Sequence, residues 1–444
     1  MDNGIGRRAQ ASMRQTAIGT RSGPPRSPSL RPITVPDWAV WIVIALGVLL
    51  RIVWIVTVDA NPVSDFMVYL ERASSLAGGF GYATPDRSPT AYWPVGYPAF
   101  LAVTLAIGGR HLIAAKLANI LIYVATAGLL LATGRRIRAG GSGFLAVTYV
   151  SLSPNHIAYA NLLASEPLAL LTVAGTFYAF VRLADAQRPF PWLAAGCVSF
   201  VLGVYVKPQL LWLPLLLAVA ASALQKNCSV LRRTTALYAA IVIAVAPWAC
   251  RNHRVFGKWI PISTNTGVNL YIGNNQHANG SYVWSEDVRA PLVGVNEAEA
   301  DERARELAGR HILEHPWRTV TLALRKQVYL WATDAEGIGL NLSGMQHPSS
   351  IEVAALTAMK VLSQLVYTCC LGLSLYGLMQ CWRHRRTARA NSWLLALPLV
   401  TVLYYSLLHS VFFGASRFHF VFVPFLFLYG DAVFVRRDAR ETCV

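Results

Sequence analysis

The stretch SDFMVYLERASSLAGGFGYATPDRSPTAYWPVGYPAFLA, residues 64–102, follows directly on the first long apolar segment of the chain. It places charged residues, among them Asp65 and Glu71, in a run rich in Tyr, Trp, Phe and Pro. A plain connector between two membrane helices would be short and polar. The mixture of charges, aromatic rings and turn residues therefore predicts a loop that builds a binding site at the membrane boundary.

The composition indicates a membrane protein that crosses the bilayer several times. Hydrophobic residues make up 55% of the 444 residues, charged residues only 14%, and the mean hydropathy is +0.42. Soluble domains carry about 25% charged residues. The net charge of +17 does not indicate nucleic-acid binding. Its Arg residues lie in short links between apolar segments, where membrane proteins keep their cytoplasmic positive charges.

The apolar runs predict an all-α membrane domain with about ten transmembrane helices. They lie at 38–58, 96–109, 113–133, 142–158, 163–183, 192–206, 208–224, 235–250, 353–380, 392–412 and 418–435. If all of them crossed the membrane, three Arg-rich links would face the outer side, against the positive-inside rule. The run 96–109 is shorter than the roughly 20 residues that a crossing needs. Placing it in the outer interface returns every Arg-rich link, and both termini, to the cytoplasm.

This topology divides the chain into regions. They are a disordered basic cytoplasmic tail at 1–37, a transmembrane module at 38–250 with the first outer loop at 59–111, a periplasmic loop region at 251–350, C-terminal transmembrane helices at 351–435 and a short cytoplasmic tail at 436–444. Within the loop region, Asn296 and Glu299 predict the capped start of a helix. The residues after Pro316 predict a short interfacial helix. The cysteine positions predict neither a disulfide framework there nor a metal site.

Five charged residues lie at the predicted outer boundary of the apolar runs: Asp65, Glu166, Lys207, Arg251 and Arg417. Ionisable residues there are costly and are functional candidates by default. Simpler explanations stay open for four of them. Asp65 also fits a helix N-cap and Glu166 a charge at a helix start. Lys207 also fits a snorkelling lysine and Arg251 an interfacial anchor. An anchor at Arg417 would have the wrong sign for the outer side, which favours a functional role.

Carboxylates and cations at one boundary suit group transfer from a phosphate-linked donor. A carboxylate can remove a proton from the acceptor, and cations can neutralise the leaving phosphate. The aromatic side chains of the first outer loop could stack on a sugar or hold a lipid chain. They also fit the ordinary aromatic belt of membrane proteins. These side chains are Tyr69, Tyr82, Tyr92, Trp93 and Tyr97.

Five stretches in a fixed order resemble the GT-C superfamily of membrane glycosyltransferases, in particular bacterial relatives of protein O-mannosyltransferases and lipid A aminoarabinose transferases. The most specific is the opening stretch, with its acidic residue, Tyr, Gly-Tyr and Pro-Gly-Tyr-Pro. The others are LSPNHIAYANLLASEPL, KPQLLWLPLL, APWACRNHRVFGKWIPISTNTGVNLYIGNN and EHPWRTV. The resemblance covers roughly residues 38–435. The fourth stretch adds His253, Asn269 and Asn274 as candidate contacts to the acceptor, sugar or lipid.

The resemblance implies an inverting transferase that takes a sugar from a polyprenyl-phosphate donor on the periplasmic side of the bacterial inner membrane. The implied general base is Asp65, with Glu166 as a second acid. Lys207, and less directly Arg251 and Arg417, would bind the donor phosphate. Many members carry a second acid directly after the first, where this chain has Phe66, which weakens a paired-carboxylate mechanism at that point.

The implied partners are the lipid-linked sugar donor, an envelope acceptor and membrane lipids, with no metal and no cofactor beyond the donor. The sequence does not distinguish between lipid A, another lipid, a polysaccharide and a protein as acceptor. Two other functions compete: a lipid-linked sugar transporter or flippase, and a surface-polysaccharide polymerase. A transporter would be expected to place broken helices and charges at the membrane midplane. The charges here lie at the outer edge, which favours the enzyme.

Overall fold

The computed structural model describes residues 30–32, 35–109, 111–137, 142–384 and 393–437. Most of these residues are helical, which confirms the predicted all-α polytopic membrane protein. Most of the predicted N-terminal tail, the Arg-rich links at 138–141 and 385–392, and the last residues of the C-terminal tail lie outside the described residues.

One pair of short strands departs from the predicted pattern of helices and disordered tails. Leu30–Pro32 (β1) pairs antiparallel with Val435–Arg437 (β2), with Arg31 opposite Arg436. The first strand was predicted to lie in the disordered N-terminal tail. The second spans the predicted boundary between the last helix, which ends at 435, and the C-terminal cytoplasmic tail. Backbone hydrogen bonds between the two ends of the chain form this pair, and no hydrophobic periodicity in either segment indicates it. The pairing brings both ends of the described chain to one side of the protein.

The first half of the chain forms ten α-helices. They are α1 Asp37–Thr57, α2 Asp65–Ala77, α3 Gly96–Ile107, α4 Leu112–Ile137, α5 Phe144–Leu152, α6 Pro154–Ala158, α7 Ser165–Ala184, α8 Phe190–Val206, α9 Leu213–Gln225 and α10 Ser229–Phe256. Two single 3₁₀ turns, Tyr159–Asn161 and Pro208–Trp212, precede α7 and α9.

The second half of the chain forms the remaining α-helices of the described residues. They are α11 Thr266–Gly273, α12 Glu286–Arg289, α13 Glu297–Glu314, α14 Pro316–Trp331, α15 Glu336–Gly344, α16 Ser350–His384, α17 Leu397–Val411, α18 Ser416–His419 and α19 Val423–Phe427. Three 3₁₀ turns accompany them, at Ala290–Leu292, Leu394–Ala396 and Gly430–Phe434.

Seven helical segments among the described residues are long and apolar enough to cross a membrane. They are 37–57, 112–137, 165–184, 208–225, 229–256, 350–383 and 394–411. The helix α3 has only 12 residues, in keeping with the interfacial position predicted for it. The helix α8 has 17 residues, and the predicted crossings at 142–158 and 418–435 are each broken into shorter helices. The count of about ten crossings therefore stays a prediction.

Prolines explain where two of the apolar runs break. Ser153 precedes Pro154 and is extended, with φ −62° and ψ 125°, so that α5 ends before α6 begins. Lys207 precedes Pro208 and is also extended, with φ −141° and ψ 104°. The ring of a proline disfavours the helical conformation in the residue before it. Both breaks leave polar side chains at an end of the bundle.

The helix α7 lies at the centre of the bundle, packed against α4, α8 and α10. Most of its length is buried, whereas α1, α10 and α16 leave most of their apolar surface exposed. Such exposed apolar surface is the expected lipid-facing side of a multi-pass membrane protein. The helices α2 and α3 pack together, and α3 contacts α8 near Lys207.

The loop region 251–350 is largely helical and packs against the first loop. Asn296 caps α13 as predicted, accepting hydrogen bonds from the backbone N–H groups of Ala298 and Glu299. The next residue, Glu297, accepts hydrogen bonds from the Thr90 hydroxyl at 2.7 Å and the Ala91 N–H at 2.5 Å. These contacts join α13 to the stretch that opens the sequence analysis.

The helix α14 after Pro316 is amphipathic. Its apolar residues Trp317, Leu324 and Val328 are exposed, whereas Leu322 and Leu330 are buried. This pattern suits the predicted interfacial helix, and its contact with lipid stays a prediction.

Candidate active site

Asp65 is the first residue of α2 and forms an ion pair with Arg417. An Arg417 Nη2–H donates to Asp65 Oδ2 at 2.9 Å. The N-cap position belongs to Ser64, whose φ of 52° and ψ of −129° place it in a conformation that L residues rarely adopt. Asp65 therefore does not act as the N-cap, and its side chain is directed to a residue near the other end of the chain.

Glu166 forms the second ion pair, with Lys207. Lys207 Nζ donates to Glu166 Oε1 at 2.9 Å. Glu166 lies in the first turn of α7, and Lys207 occupies the break between α8 and the 3₁₀ turn that begins at Pro208. The Glu166 side chain is only 3% exposed, so its charge depends on the ammonium beside it.

The two ion pairs lie in one cluster of side chains. Lys207 Nζ lies 5.8 Å from the centroid of the Phe418 ring, and the Arg417 guanidinium carbon lies 5.3 Å from the same centroid. Tyr69 lies near both acids: burial raises the pKa of its hydroxyl, and the carboxylates of Asp65 and Glu166 raise it further. Four of the five charged residues that the sequence singled out thus come together from four separate elements.

Glu336 is a member of the cluster that the sequence did not indicate. Its Oε2 accepts hydrogen bonds from the Ser416 hydroxyl at 2.8 Å and from the Arg417 backbone N–H at 2.9 Å. Burial alone would lower the pKa of Arg417, but the carboxylates of Asp65, Glu166 and Glu336 raise it by more. Arg417 is therefore a permanent cation that faces three acids.

Aromatic side chains lie beside this cluster of charges. Ring centroids are 5.3 Å apart between Tyr92 and Trp93, 5.7 Å between Trp93 and Tyr69, and 5.2 Å between Tyr69 and Tyr97. All three pairs meet edge to face. Tyr92 and Trp93 are partly exposed, whereas Tyr97 is fully buried. Of these four predicted contact residues, Tyr92 and Trp93 offer surface to a ligand.

Tyr282, which the sequence did not single out, lies on another side of the same cluster. Its ring contacts Phe413 at 5.5 Å, and Phe413 contacts Phe418 at 5.4 Å. Burial raises the pKa of Tyr282, and the Asp65 carboxylate raises it further. The pKa of Tyr92 is raised by burial, then by Tyr282 and Asp65. Both hydroxyls therefore lie within electrostatic range of Asp65.

Three predicted site residues have structural partners. Arg251 donates to the carbonyls of Tyr82 and Thr90 at 2.9 and 2.8 Å, which holds the first loop rather than presenting a free guanidinium. Tyr82 is buried and donates to the Trp93 carbonyl at 2.9 Å. His253 stacks on Trp259, with ring centroids 4.4 Å apart.

The other two predicted residues lie in and after α11. Asn274 is buried, donates to the carbonyls of Leu270 and Val411, and accepts a hydrogen bond from Lys326. These contacts occupy its amide in packing the loop region, and its predicted contact with a substrate stays a prediction. Asn269 is partly exposed on α11, and its role stays a prediction.

Among the described residues, no group of three or more His, Cys, Asp or Glu side chains has the arrangement of a metal site. The chemistry that the side chains themselves offer is a proton acceptor next to two fixed cations. Asp65 can take a proton, and Arg417 and Lys207 can stabilise negative charge that develops on a phosphate.

A family model described as dolichyl-phosphate-mannose-protein mannosyltransferase matches residues 93–250. The match includes Glu166 and Lys207, and Asp65 and Arg417 lie outside it. No curated protein sequence matches the chain.

Solved structures resemble the chain at low sequence identity. The oligosaccharyltransferase of Archaeoglobus fulgidus, in complex with zinc and sulfate, matches with a TM-score of 0.50 and 13% identity over 88% of this chain. This chain spans 48% of the length of that protein. ArnT from Cupriavidus metallidurans bound to undecaprenyl phosphate matches with a TM-score of 0.44 and 14% identity, over 90% of this chain and 78% of ArnT. The family-model match and the shared fold confirm the resemblance to the GT-C superfamily.

Proposed function

We propose that this protein is an inverting glycosyltransferase that moves a sugar from a polyprenyl-phosphate donor to an envelope acceptor at the periplasmic face of the bacterial inner membrane. The observation that carries the proposal is the pairing of two carboxylates with two cations in one cluster, Asp65 with Arg417 and Glu166 with Lys207. The family model that matches residues 93–250 is named for a transferase with a prenyl-phosphate sugar donor, which supports the same donor class.

Each side chain then has a defined role. Asp65 accepts the proton of an acceptor hydroxyl, whose oxygen forms the new bond to the anomeric carbon. The bond from that carbon to the phosphate oxygen breaks, and its electron pair stays on the phosphate. Arg417 and Lys207 stabilise the charge on the leaving group. Attack from the face opposite the leaving phosphate inverts the anomeric configuration.

The ion pairs imply an order of binding. Without a ligand, Arg417 forms an ion pair with Asp65 and occupies its carboxylate. The donor phosphate is a diester whose negative charge is shared by two free oxygens, so it can bind the same guanidinium with two hydrogen bonds and displace the carboxylate. Donor binding therefore releases Asp65 for the acceptor, so that the base becomes active only when the leaving group is in place.

The position of these four side chains suits a lipid-linked donor. The side chains lie at ends and breaks of apolar helices, namely the start of α7, the break at Lys207 and the short helix α18. A prenyl chain could remain in the bilayer while the phosphate reaches the cations. The partly exposed Tyr92 and Trp93 then face the acceptor side of Asp65. The acceptor is an envelope lipid, polysaccharide or protein, and the reaction needs no metal or other cofactor.

The proposed function is tested by mass spectrometry of envelope glycolipids and glycoproteins from a deletion strain. The strain is complemented with the intact protein, with Asp65→Asn or with Asp59→Asn, which changes an exposed acid of the same loop. We expect one sugar mass to disappear from one acceptor on deletion and to return with the intact protein and with Asp59→Asn only. An unchanged profile after deletion would instead support transport or polymerisation. Full rescue by Asp65→Asn would reject Asp65 as the base.

A further inference from the structure

We infer that Asp334 and Glu336 are positioning residues for Arg417: two acids, one residue apart, hold the helix α18 at both of its ends. The inference rests on the proposed function for what Arg417 binds. It assigns the orientation of the Arg417 guanidinium to two residues that do not touch the reacting groups.

The first contact is at the start of α18. This helix has only four residues, from Ser416 to His419, and a single turn is not stable by itself. Glu336 Oε2 accepts both the Ser416 hydroxyl and the Arg417 N–H, at 2.8 and 2.9 Å. The backbone of the cationic residue itself is therefore fixed by a carboxylate on α15.

The second contact is at the end of α18. His419 Nδ1 lies 2.6 Å from the Leu330 carbonyl oxygen, and its Nε2 lies 3.2 Å from Asp334 Oδ1. Both ring nitrogens of His419 thus face oxygen atoms of the segment that precedes α15. The side chains of His419 and Asp334 are 0% exposed, so water does not compete for this contact.

Asp334 is in turn anchored to the bundle. Its Oδ2 accepts the Tyr149 hydroxyl at 2.7 Å, and its Oδ1 accepts an Asn155 side-chain N–H at 2.5 Å. Tyr149 and Asn155 flank the break between α5 and α6. The backbone N–H of Asp334 donates to Gln364 on α16 at 3.0 Å. The segment 334–336 thus fixes the position of Arg417 relative to α5, α6 and α16.

The central test uses binding of a short-chain prenyl phosphate, with the corresponding prenyl alcohol as the ligand without charge. We expect Glu336→Ala to weaken binding of the phosphate about tenfold and to leave binding of the alcohol unchanged, because only the phosphate uses Arg417. Glu336→Gln keeps an acceptor oxygen for both donors and should bind the phosphate nearly as well as the wild type. In an Arg417→Ala background, Glu336→Ala should have no further effect.

Glu352→Ala is the matched control, because Glu352 accepts the hydroxyl and the N–H of Ser349 in the same manner at the exposed start of α16. It should leave the binding of both ligands unchanged. Additive losses in the double variant, or equal losses for phosphate and alcohol, would overturn the positioning role. If the wild type binds both ligands equally, the proposed donor fails instead.

Hydrogen exchange then tests the contacts without any ligand. In the wild type, the amides of residues 416–419 should be protected, and both Glu336→Ala and Asp334→Asn should speed their exchange. An unprotected segment in the wild type would overturn the inference independently of the proposed function.

Discussion

Asp65 Oδ2 and an Arg417 Nη2 lie 2.9 Å apart although 352 residues separate them in sequence. The pair joins the first loop to the last part of the helical bundle. Its side chains are 19% and 21% exposed, so a ligand can reach both partners. Arg417 can therefore exchange Asp65 for another anion.

Replacing Asp65 by Asn should separate proton transfer from donor binding. An amide cannot accept the acceptor's proton, and we expect turnover to fall by about 10² to 10⁴. Arg417 loses its carboxylate partner, so binding of a prenyl phosphate should become tighter. Turnover and donor affinity are measured on the same preparation, with Asp59→Asn as the control. Weaker donor binding in the Asp65 variant would contradict competition for Arg417.

The Glu166–Lys207 pair predicts a stability effect that can be separated from activity. Lys207→Met leaves the buried Glu166 carboxylate without its partner, which should cost about 3–5 kcal/mol of unfolding free energy. The double variant Glu166→Gln/Lys207→Met removes both charges and should recover most of that stability. It should stay inactive because the phosphate loses a cation. Thermal unfolding measures the stability of each variant, and transfer assays measure its activity. An active double variant would exclude both residues from the chemistry.

Part of the site could be predicted because charge contrasts with its surroundings. Asp65, Glu166, Lys207 and Arg417 interrupt apolar segments, and such positions carry a cost that function explains. Lys207 also precedes a proline, so that the helix break at its position follows from local geometry. These signals are local, and they gave four residues of the cluster.

The rest could not be predicted because it depends on contacts distant in sequence. Asp334 and Glu336 lie in a polar region where acids are ordinary, so hydropathy gives no contrast there. Their partners, His419 and Ser416, come from beyond two further membrane helices. Arg251 also depends on a distant contact. Its position at a helix end suggested a phosphate ligand, and the first loop supplies the carbonyl acceptors of its guanidinium.

Gly96 in the motif Pro-Gly-Tyr-Pro should be irreplaceable for packing. A Cβ at this position would lie 2.5 Å from the backbone carbon of Tyr205, which cannot move like a side chain. Gly96→Ala should therefore cost about 1–3 kcal/mol and displace the end of α8 that leads to Lys207. Gly128→Ala is the control, because nothing lies within 4 Å of its added Cβ. Equal melting temperatures for the Gly96 variant and the wild type would refute the close approach.

Lys326 predicts a distinct pH dependence of stability. Its side chain is fully buried, and Nζ donates to Asn274 Oδ1 and to the Val411 carbonyl, both at 3.0 Å. Burial lowers the pKa of this ammonium from 10.5 to about 8. Between these values the unfolded chain binds more protons than the folded protein, so stability rises with pH. The shift corresponds to about 3 kcal/mol, present as a cost below pH 8 and relieved as the pH approaches 10.5.

Comparison with Lys326→Met isolates this contribution, because other groups titrate in the same range. Melting temperatures are measured from pH 7.5 to pH 10 for the wild type, for this variant and for Lys360→Met, which removes a partly exposed lysine of α16. We expect the wild type to gain stability relative to Lys326→Met as the pH rises, because only the wild type sheds a buried charge. Lys360→Met should follow the wild type throughout. Parallel curves for Lys326→Met and the wild type would mean that the Lys326 ammonium keeps its proton in the folded protein, held by its two oxygen acceptors.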